Sequence, residues 1–383
     1  MSSALTRLGT LSVRRFLARN WQRRPVLIRQ AIAGFRSPVT RSELFELAQH
    51  EEVESRLIVD PMGVCRLCHG PFARRQLPPL RQGKWTLLVQ GVDQHVPAAD
   101  ELVRRFRFIA DARLDDLMVS YASDGGGVGP HVDSYDVFLL QAAGRRRWRI
   151  QTHPDPTCVE QLPIQRLARF QPDAEWVLEP GDMLYLPPGI AHDGVAQGEC
   201  MTCSIGFRTP SWGDLANIWT ELQAGHAAAR PATYRDPGVS PNVRPARLPS
   251  RMIAAAVHEL SLWRPSRQDV AAALLRQLSE PKPRVVFKRP QRPLGRAAFE
   301  AALRLRGLRV DRRTRLLYSG RSFAINGELF HLSDLGQRAW MTRFADRRAT
   351  FAAGRDRAPD SAFAPLIDCL FQWYLAGWVL PPQ

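Results

Sequence analysis

The amino-acid sequence predicts an α+β protein in three parts: a double-sheet β-barrel of the jelly-roll or cupin kind over residues 1–209, a helical region over 210–285, and a mixed unit over 286–383. Three observations carry this prediction. Short strand patterns recur from Leu117 to Arg208 with turn residues between them, as in a closed or folded-over sheet. After Pro210 the apolar period lengthens to that of helices. A basic, proline-rich stretch, Pro281–Pro293, then leads into a block where helices flank a strand pair, a winged-helix-like pattern. At 383 residues the chain also exceeds what one ordinary core supports.

Taken in order, residues 11–19 have the period of a short amphipathic helix, and Pro25–Arg29 reads as a strand. Thr40 and Glu43, three apart, form a capping box ahead of Leu44, Phe45 and Leu47, so a helix is expected from there to about His50. Strands follow at Arg56–Val59, Val64–Cys68 and Trp85–Val92, and Asp100–Phe108 reads as a helix. Within the barrel an apolar run spans Val132–Gln141. Pro180-Gly181-Asp182 is a tight turn into a strand at Met183–Leu186, and Pro187-Pro188-Gly189 is a rigid bend. The closing strand is Thr202–Arg208. Helical periods cover Trp212–Ala229, Arg251–Trp263 and Gln268–Leu278, with Pro231–Pro249 as a connection, and suggest a dimerisation element. The last block reads as a helix at Arg296–Leu305, strands at Leu316–Tyr318 and Phe323–Ile325 turning near Asn326-Gly327, and helices at Ser333–Ala345 and Phe363–Val379.

The formal charge of +16 is uneven: residues 1–208 carry 26 Lys+Arg against 23 Asp+Glu, and residues 209–383 carry 27 against 14. The basic back half is therefore the part expected to meet a polyanion such as ribosomal RNA. Only three basic residues are lysines (Lys84, Lys282 and Lys288), a bias that codon usage alone also produces. No run reaches the roughly 18 apolar residues of a membrane span, and the N-terminus lacks an apolar signal core, so a cytoplasmic protein is the expectation. Cys65-Arg-Leu-Cys68-His69 and Cys200-Met-Thr-Cys203 carry C-x-x-C spacings. Both lie in runs read as strands, where i and i+3 face opposite ways, so neither pair easily grips one ion.

The chain is organised around Gly125-Gly-Gly-Val-Gly-Pro-His131-Val-Asp133, a glycine-rich turn running into His-x-Asp. Alternate strand residues share a face, so His131 and Asp133 project the same way. They form two-thirds of the 2-His-1-carboxylate triad that holds non-haem Fe(II) on one face and leaves positions open for a cosubstrate and O2. The second imidazole is best supplied by His192, which the Pro187–Gly189 bend can aim back into a barrel. A lone His-x-Asp also fits a solvated pair at a strand start; the glycines, the second His module and an arginine in the right phase favour the metal. That arginine lies in Gly144-Arg-Arg146-Arg-Trp148-Arg-Ile150, where Arg146 shares its face with Trp148 and Ile150 and points inward, away from Arg145, Arg147 and Arg149. A buried guanidinium needs a partner. An acidic small molecule beside the metal would supply one through a bidentate contact. Arg145, Arg147 and Arg149 fit a basic surface meeting solvent or nucleic acid.

These segments, with Asp115-Asp-Leu-Met-Val-Ser120, Glu179-Pro-Gly-Asp-Met-Leu-Tyr-Leu-Pro-Pro-Gly-Ile-Ala-His192, Asn20-Trp-Gln-Arg-Arg-Pro25, Glu52–Leu57, His69-Gly-Pro-Phe72 and Trp85–Gln90, resemble the JmjC-type 2-oxoglutarate oxygenases. More narrowly, they are similar to the bacterial ribosomal oxygenases that hydroxylate an arginine of a large-subunit ribosomal protein. The resemblance covers about the first 210 residues at motif density and the remainder in layout. It implies a double-stranded β-helix (JmjC/cupin) domain, a helical dimerisation region making a homodimer, and a winged-helix-like C-terminal domain. It implies Fe(II), 2-oxoglutarate and O2 as cofactor and cosubstrates, with His131, Asp133 and His192 as iron ligands and Arg146 on the distal carboxylate of 2-oxoglutarate. Ser120 stands where the family places a hydroxyl for the same cosubstrate. Thr202 stands where a further polar contact from the closing strand is expected and close relatives carry an amide. For an arginine substrate, Asp124, Tyr121 and Tyr135 are candidates by location; Asp124 equally suits capping of the glycine turn.

Two other readings stand beside an arginine β-carbon hydroxylase. One is a JmjC oxygenase acting on a ribosomal histidine or a methylated lysine. The other is a non-enzymatic protein in which barrel and winged helix dock to RNA or ribosome, against which the triad and inward Arg146 argue.

Overall fold

Capping chemistry sets the first elements, in a computed structural model that describes residues 4–60, 65–208, 266–349 and 364–381 with a few positions between 213 and 258. Strands β1 (Arg7–Leu8) and β2 (Leu11–Ser12) form a hairpin, and Ser12 caps helix α1 (Val13–Arg19) by accepting from the Arg15 N–H. After β3 (Val26–Ile28), Thr40 and Glu43 close the expected capping box on α2 (Arg41–Leu47), with the Thr40 N–H donating to Glu43 Oε2 at 2.7 Å. Next come β4 (Ser55–Val59), β5 (Arg66–His69), β6 (Trp85–Val89) and α3 (Pro97–Arg104), whose early start reflects proline at its first turn.

The barrel strands are β7 (Leu114–Ala122), β8 (His131–Val132), β9 (Val137–Gln151), β10 (Ala174–Leu178), β11 (Met183–Leu186) and β12 (Ala191–Phe207). Among the described residues they join β3 to β6 in one 10-stranded sheet of order β3-β11-β9-β12-β7-β6-β4-β5, with β10 on β9 and β8 on β12. The pairings are antiparallel. Two long bent strands do the work that the sequence assigned to many short ones. The first part of β9 pairs with β11 and its last part with β10, while β12 runs along both. Gly144 permits the bend: its φ is +60°, and a Cβ there would lie 2.1 Å from the Glu199 carbonyl oxygen. Opposite it, the β12 register shifts between Gln197 and Met201.

Alternation along β9 then sorts the interior. Phe138 and Leu140 pack outward on α1 to α3 with Phe16, Phe106 and Tyr185. Val137, Leu139, Trp148 and Ile150 face the other way, with Leu184 and Leu186. The predicted strand from Val132 is interrupted at residues 133–136, so only Val137 onward is long strand.

Beyond the barrel, α4 (Arg267–Ser279) packs on a three-stranded sheet that follows α5 (Arg296–Arg306) and the short β13 (Arg309–Val310). That sheet is β14 (Leu316–Ser319), β15 (Ser322–Ile325) and β16 (Glu328–His331). The Asn326-Gly327 turn joins β15 to this third strand, and so it is not the turn between the two predicted ones. Helices α6 (Leu335–Arg347) and α7 (Ala364–Ala376) complete a second core around Phe299, Phe323, Trp340 and Leu370, and β17 (Val379–Leu380) pairs with β13. The predicted helices Trp212–Ala229 and Arg251–Trp263 and the Pro231–Pro249 connection lie largely outside the described residues. No helix among the described residues is long and apolar enough to cross a membrane.

Candidate active site

The two-residue strand β8 pairs with the start of β12 and sets His131 directly opposite His192. The Gly189 N–H of the proline bend donates to the Asp133 carbonyl at 3.0 Å, tying that bend to the segment that carries the carboxylate. Three residues far apart in sequence thereby meet. The rings of His131 and His192 are 4.3 Å apart between centroids, and Asp133 lies 4.0 Å from His131 Nε2 and 3.6 Å from His192 Nε2. All three ligand atoms fall within 4.8 Å of one another, and among the described residues this is the one such His/Cys/Asp/Glu group.

The tautomers are set for ligation. His131 Nδ1 is 2.9 Å from the Gly129 carbonyl and His192 Nδ1 is 3.1 Å from that of Ile190. A carbonyl only accepts, so each Nδ1 is a donor, which leaves Nε2 as the atom each ring can offer to a metal. Burial, and next the neighbouring His131, push the His192 pKa down from 6.5 to about 4, so the ring is neutral as a ligand must be. Two imidazoles and one carboxylate on one side suit a divalent metal of the Fe(II) kind.

Arg146 points inward as its phase requires and is 3% exposed. It donates to Ser120 Oγ at 3.1 Å, Thr202 Oγ1 at 3.3 Å and the Gly194 carbonyl at 3.3 Å, and its guanidinium lies 5.1 Å from the centre of the Trp148 ring. Its Nε has no partner, and none of the ion pairs among the described residues includes it. Burial holds its pKa below the ordinary arginine value. Gly194 makes the room, since a Cβ there would stand 2.9 Å from Arg146 Nε and 2.7 Å from the Trp148 ring. A buried cation with an orphan donor beside a metal triad fits an acidic organic ligand.

These residues line a cavity of about 680 Å³ whose walls include Met118, Val137, Leu139, Tyr135, Asp115 and Asp116. Tyr135 is where the sequence placed it, with its phenol against Asp133. Thr202 is buried and donates to Gln141 Oε1 at 3.0 Å, so an amide does reach this spot, from the neighbouring strand. Two candidates do not belong to the site. Tyr121 is one residue from Ser120 and therefore on the opposite face, where it packs on Phe45 and Trp85 and donates to Glu199 at 3.0 Å. Asp124 is exposed at the turn and accepts from the Gly198 N–H at 2.7 Å, so it serves as a cap, although of the facing turn and not its own.

Sequence reasoning missed Gln141, Asp115, Asp116 and Lys282. Gln141 was visible as the one polar residue ending Val137–Gln141, and Asp116 shares the period-two face of Ser120 four residues on. Lys282 left no local signal. Cys200 and Cys203 are buried in different clusters on opposite faces of β12, as alternation requires, whereas Cys65 is buried just ahead of β5 and Cys68 is exposed within it.

A family model for the JmjC domain matches residues 101–215. The ribosomal protein uL16 3-hydroxylase of Escherichia coli (strain K12) is 40% identical over 258 residues, which is 63% of this chain and 65% of that protein. A probable ribosomal oxygenase of Haemophilus influenzae is 37% identical over 205 residues, 52% of this chain and 50% of the other. The aligned sequence thus spans between half and two-thirds of these curated relatives. In solved structures the likeness extends further. The X-ray structure of E. coli ycfD superposes with a TM-score of 0.85 at 30% identity, covering 98% of this chain and 100% of that one. The structure of YcfD, a ribosomal oxygenase from E. coli, in complex with cobalt and 2-oxoglutarate superposes at 0.83, with 30% identity and 98% and 99% coverage.

Proposed function

This chain belongs to the JmjC-domain ribosomal oxygenases, and on that premise we propose that it is an Fe(II)- and 2-oxoglutarate-dependent hydroxylase of an arginine side chain, at the β-carbon, in a large-subunit ribosomal protein. One observation carries the reading: a two-imidazole, one-carboxylate cluster stands beside a buried guanidinium that has no acid of its own. His131, Asp133 and His192 would hold the metal, and Arg146 with Ser120 and Thr202 would hold the outer carboxylate of the cosubstrate. When bound, Fe(II) with 2-oxoglutarate and O2 supplies the oxidative decarboxylation that places an oxygen atom in an unactivated C–H bond.

The chain's own residues orient and shield. Gly129 and Ile190 carbonyls fix both imidazoles, so the ligand set is organised before the metal arrives. Ser120 and Thr202 accept from Arg146, and Gln141 accepts from Thr202, which aims the guanidinium and leaves donors for a carboxylate. Val137, Leu139 and Trp148 give the cosubstrate end an apolar wall that excludes water. The cavity wall also carries the carboxylate of Asp116, whose one ion-pair partner among the described residues is Lys282. An acidic group there supports a cationic side chain as the target, and the relative named as a uL16 3-hydroxylase points to arginine.

The same reading divides the chain into a catalytic domain (1–209), a helical dimerisation region (210–285) and a C-terminal domain (286–383), working as a cytoplasmic homodimer. The separate second core around Phe299 and Trp340 supports the last of these, and the net excess of basic residues in the back half supports contact with ribosomal RNA. Incubation with Fe(II), 2-oxoglutarate and ribosomal proteins tests the function. Succinate formation with one added oxygen atom mapped to an arginine is the expected result. Loss of a methyl group, or oxygen on a histidine, assigns the target differently, and no succinate from metal-loaded protein with any large-subunit protein rejects the enzyme reading.

A further inference from the structure

The cavity already contains a cation of the chain's own. Lys282 lies in the Pro281-Lys282-Pro283 run between α4 and α5, and its Nζ stands 2.9 Å from Asp115 Oδ2 and 3.0 Å from Asp116 Oδ2. Asp115 is also held by Arg208 at 2.9 Å. Asp116, buried at 2% exposure, has Lys282 as its one salt-bridge partner among the described residues and otherwise takes the Gln90 amide at 2.9 Å. Burial pulls against the ammonium, but Asp116 and Asp115 outweigh it, and the Lys282 pKa lies above its ordinary value. Prolines on both sides restrict the backbone and present this side chain in one direction.

Met118 and Tyr135 line the same cavity as Asp116, walls suited to the methylenes of a long basic side chain. Resting on the reading that the substrate residue is cationic, we propose that Lys282 occupies the cation subsite at Asp116 and is a specificity-determining residue, selecting arginine over lysine. An incoming cation meets carboxylates that are already matched, so it must displace Lys282 from Asp116 or suffer like-charge repulsion. A substrate lysine would exchange one ammonium for another and gain nothing. A guanidinium offers Asp116 two parallel N–H donors where the ammonium offers a point charge, and that difference drives the exchange.

The chain has three lysines, so amine labelling reads this directly. Full-length metal-loaded protein is acetylated with an N-hydroxysuccinimide ester, with Lys84 and Lys288 as internal references, and the sites are quantified by mass mapping. Lys282 is expected to react severalfold more slowly than the references, to be accelerated by N-acetylarginine amide and by Asp116→Asn, and to ignore the corresponding lysine amide. Lys282 reacting as fast as Lys84 and Lys288, or equally in the presence of either amide, overturns the proposal. With an arginine-bearing ribosomal peptide, KM is expected to fall severalfold in Lys282→Met and to rise in Lys282→Arg, while the preference over the lysine-bearing peptide narrows in Lys282→Met. A flat or reversed order overturns it as well and leaves Lys282 as a prop for the wall. Should ribosomal proteins give no product while arginine amide still frees Lys282, the substrate assignment fails and this one stands; hydroxylation with an unresponsive Lys282 does the reverse.

Discussion

Replacing Arg146 by methionine separates what this residue does for the fold from what it does for the ligand. In the folded chain it is buried, donates to Ser120, Thr202 and Gly194, and lies over Trp148 without a carboxylate against it. Truncating one member of a buried, hydrogen-bonded charge pair costs about 2–5 kcal/mol. At about 1.4 kcal/mol per tenfold, 2-oxoglutarate binding is then expected to weaken by between ~30-fold and a few thousand-fold. The ligand-free protein should respond in the opposite sense. It loses a cation whose desolvation opposes folding, and a pliable thioether takes the space, so its melting temperature is expected to hold or rise. Calorimetric titration of 2-oxoglutarate into Mn(II)-loaded protein measures the first effect, and thermal melting of metal-free protein the second. A variant that binds 2-oxoglutarate as tightly as the parent refutes the placement of the ligand. A steep fall in the ligand-free melting temperature refutes the idea that Arg146 waits for an outside acid.

Asp133→Asn removes the anionic ligand and is expected to weaken divalent metal binding by at least about 100-fold, since even the partners behind metal ligands are typically worth 10–100-fold; full metal occupancy with unchanged circular dichroism contradicts it. Burial, then the neighbouring Asp116, raises the Asp93 pKa from 3.8 to about 7, so the folded chain keeps a proton there that the unfolded chain releases. The stability tied to that group is present at low pH and is lost as pH rises from about 4 to about 7. Asp93→Asn, which preserves an acceptor for the Leu117 N–H at 2.8 Å, is expected to raise the melting temperature at pH 8 and change it little at pH 4, and equal shifts at both would count against this. Tyr121→Phe should leave succinate formation unchanged and cost about 1 kcal/mol in denaturant unfolding through the lost bond to Glu199, whereas a fall in kcat would return Tyr121 to the site.

Period-two reasoning made part of the candidate metal centre legible before any fold was known. Arg146 shares a buried face with Trp148 and Ile150 because alternate strand residues do, and the structure keeps that relation. His131 and Asp133 also meet, but β8 ends at Val132, and Asp133 is held by the bend at Gly189 and not by strand alternation. The same rule excluded naming Ser120 and Tyr121 together, since neighbours on one strand cannot both face a cavity. Asp124 misled for a different reason: a carboxylate beside a glycine turn finds backbone N–H donors first, here that of Gly198. The bend of β9 and β12 was not readable as such, because Gly144 signals a turn as readily as a long strand passing from one side of a barrel to the other. Lys282 was beyond reach, for it meets Asp116 across 166 residues and nothing in Pro-Lys-Pro announces a partner.

A crystal structure of the protein grown without oxygen, with Mn(II) and 2-oxoglutarate, settles the proposal most directly. One metal ion bonded to His131 Nε2, Asp133 and His192 Nε2, with the outer carboxylate of the diacid on Arg146 and Ser120, is the result expected from the arrangement of side chains described above. A metal bound away from any one of those three side chains, or a diacid whose far end turns from Arg146, would contradict it.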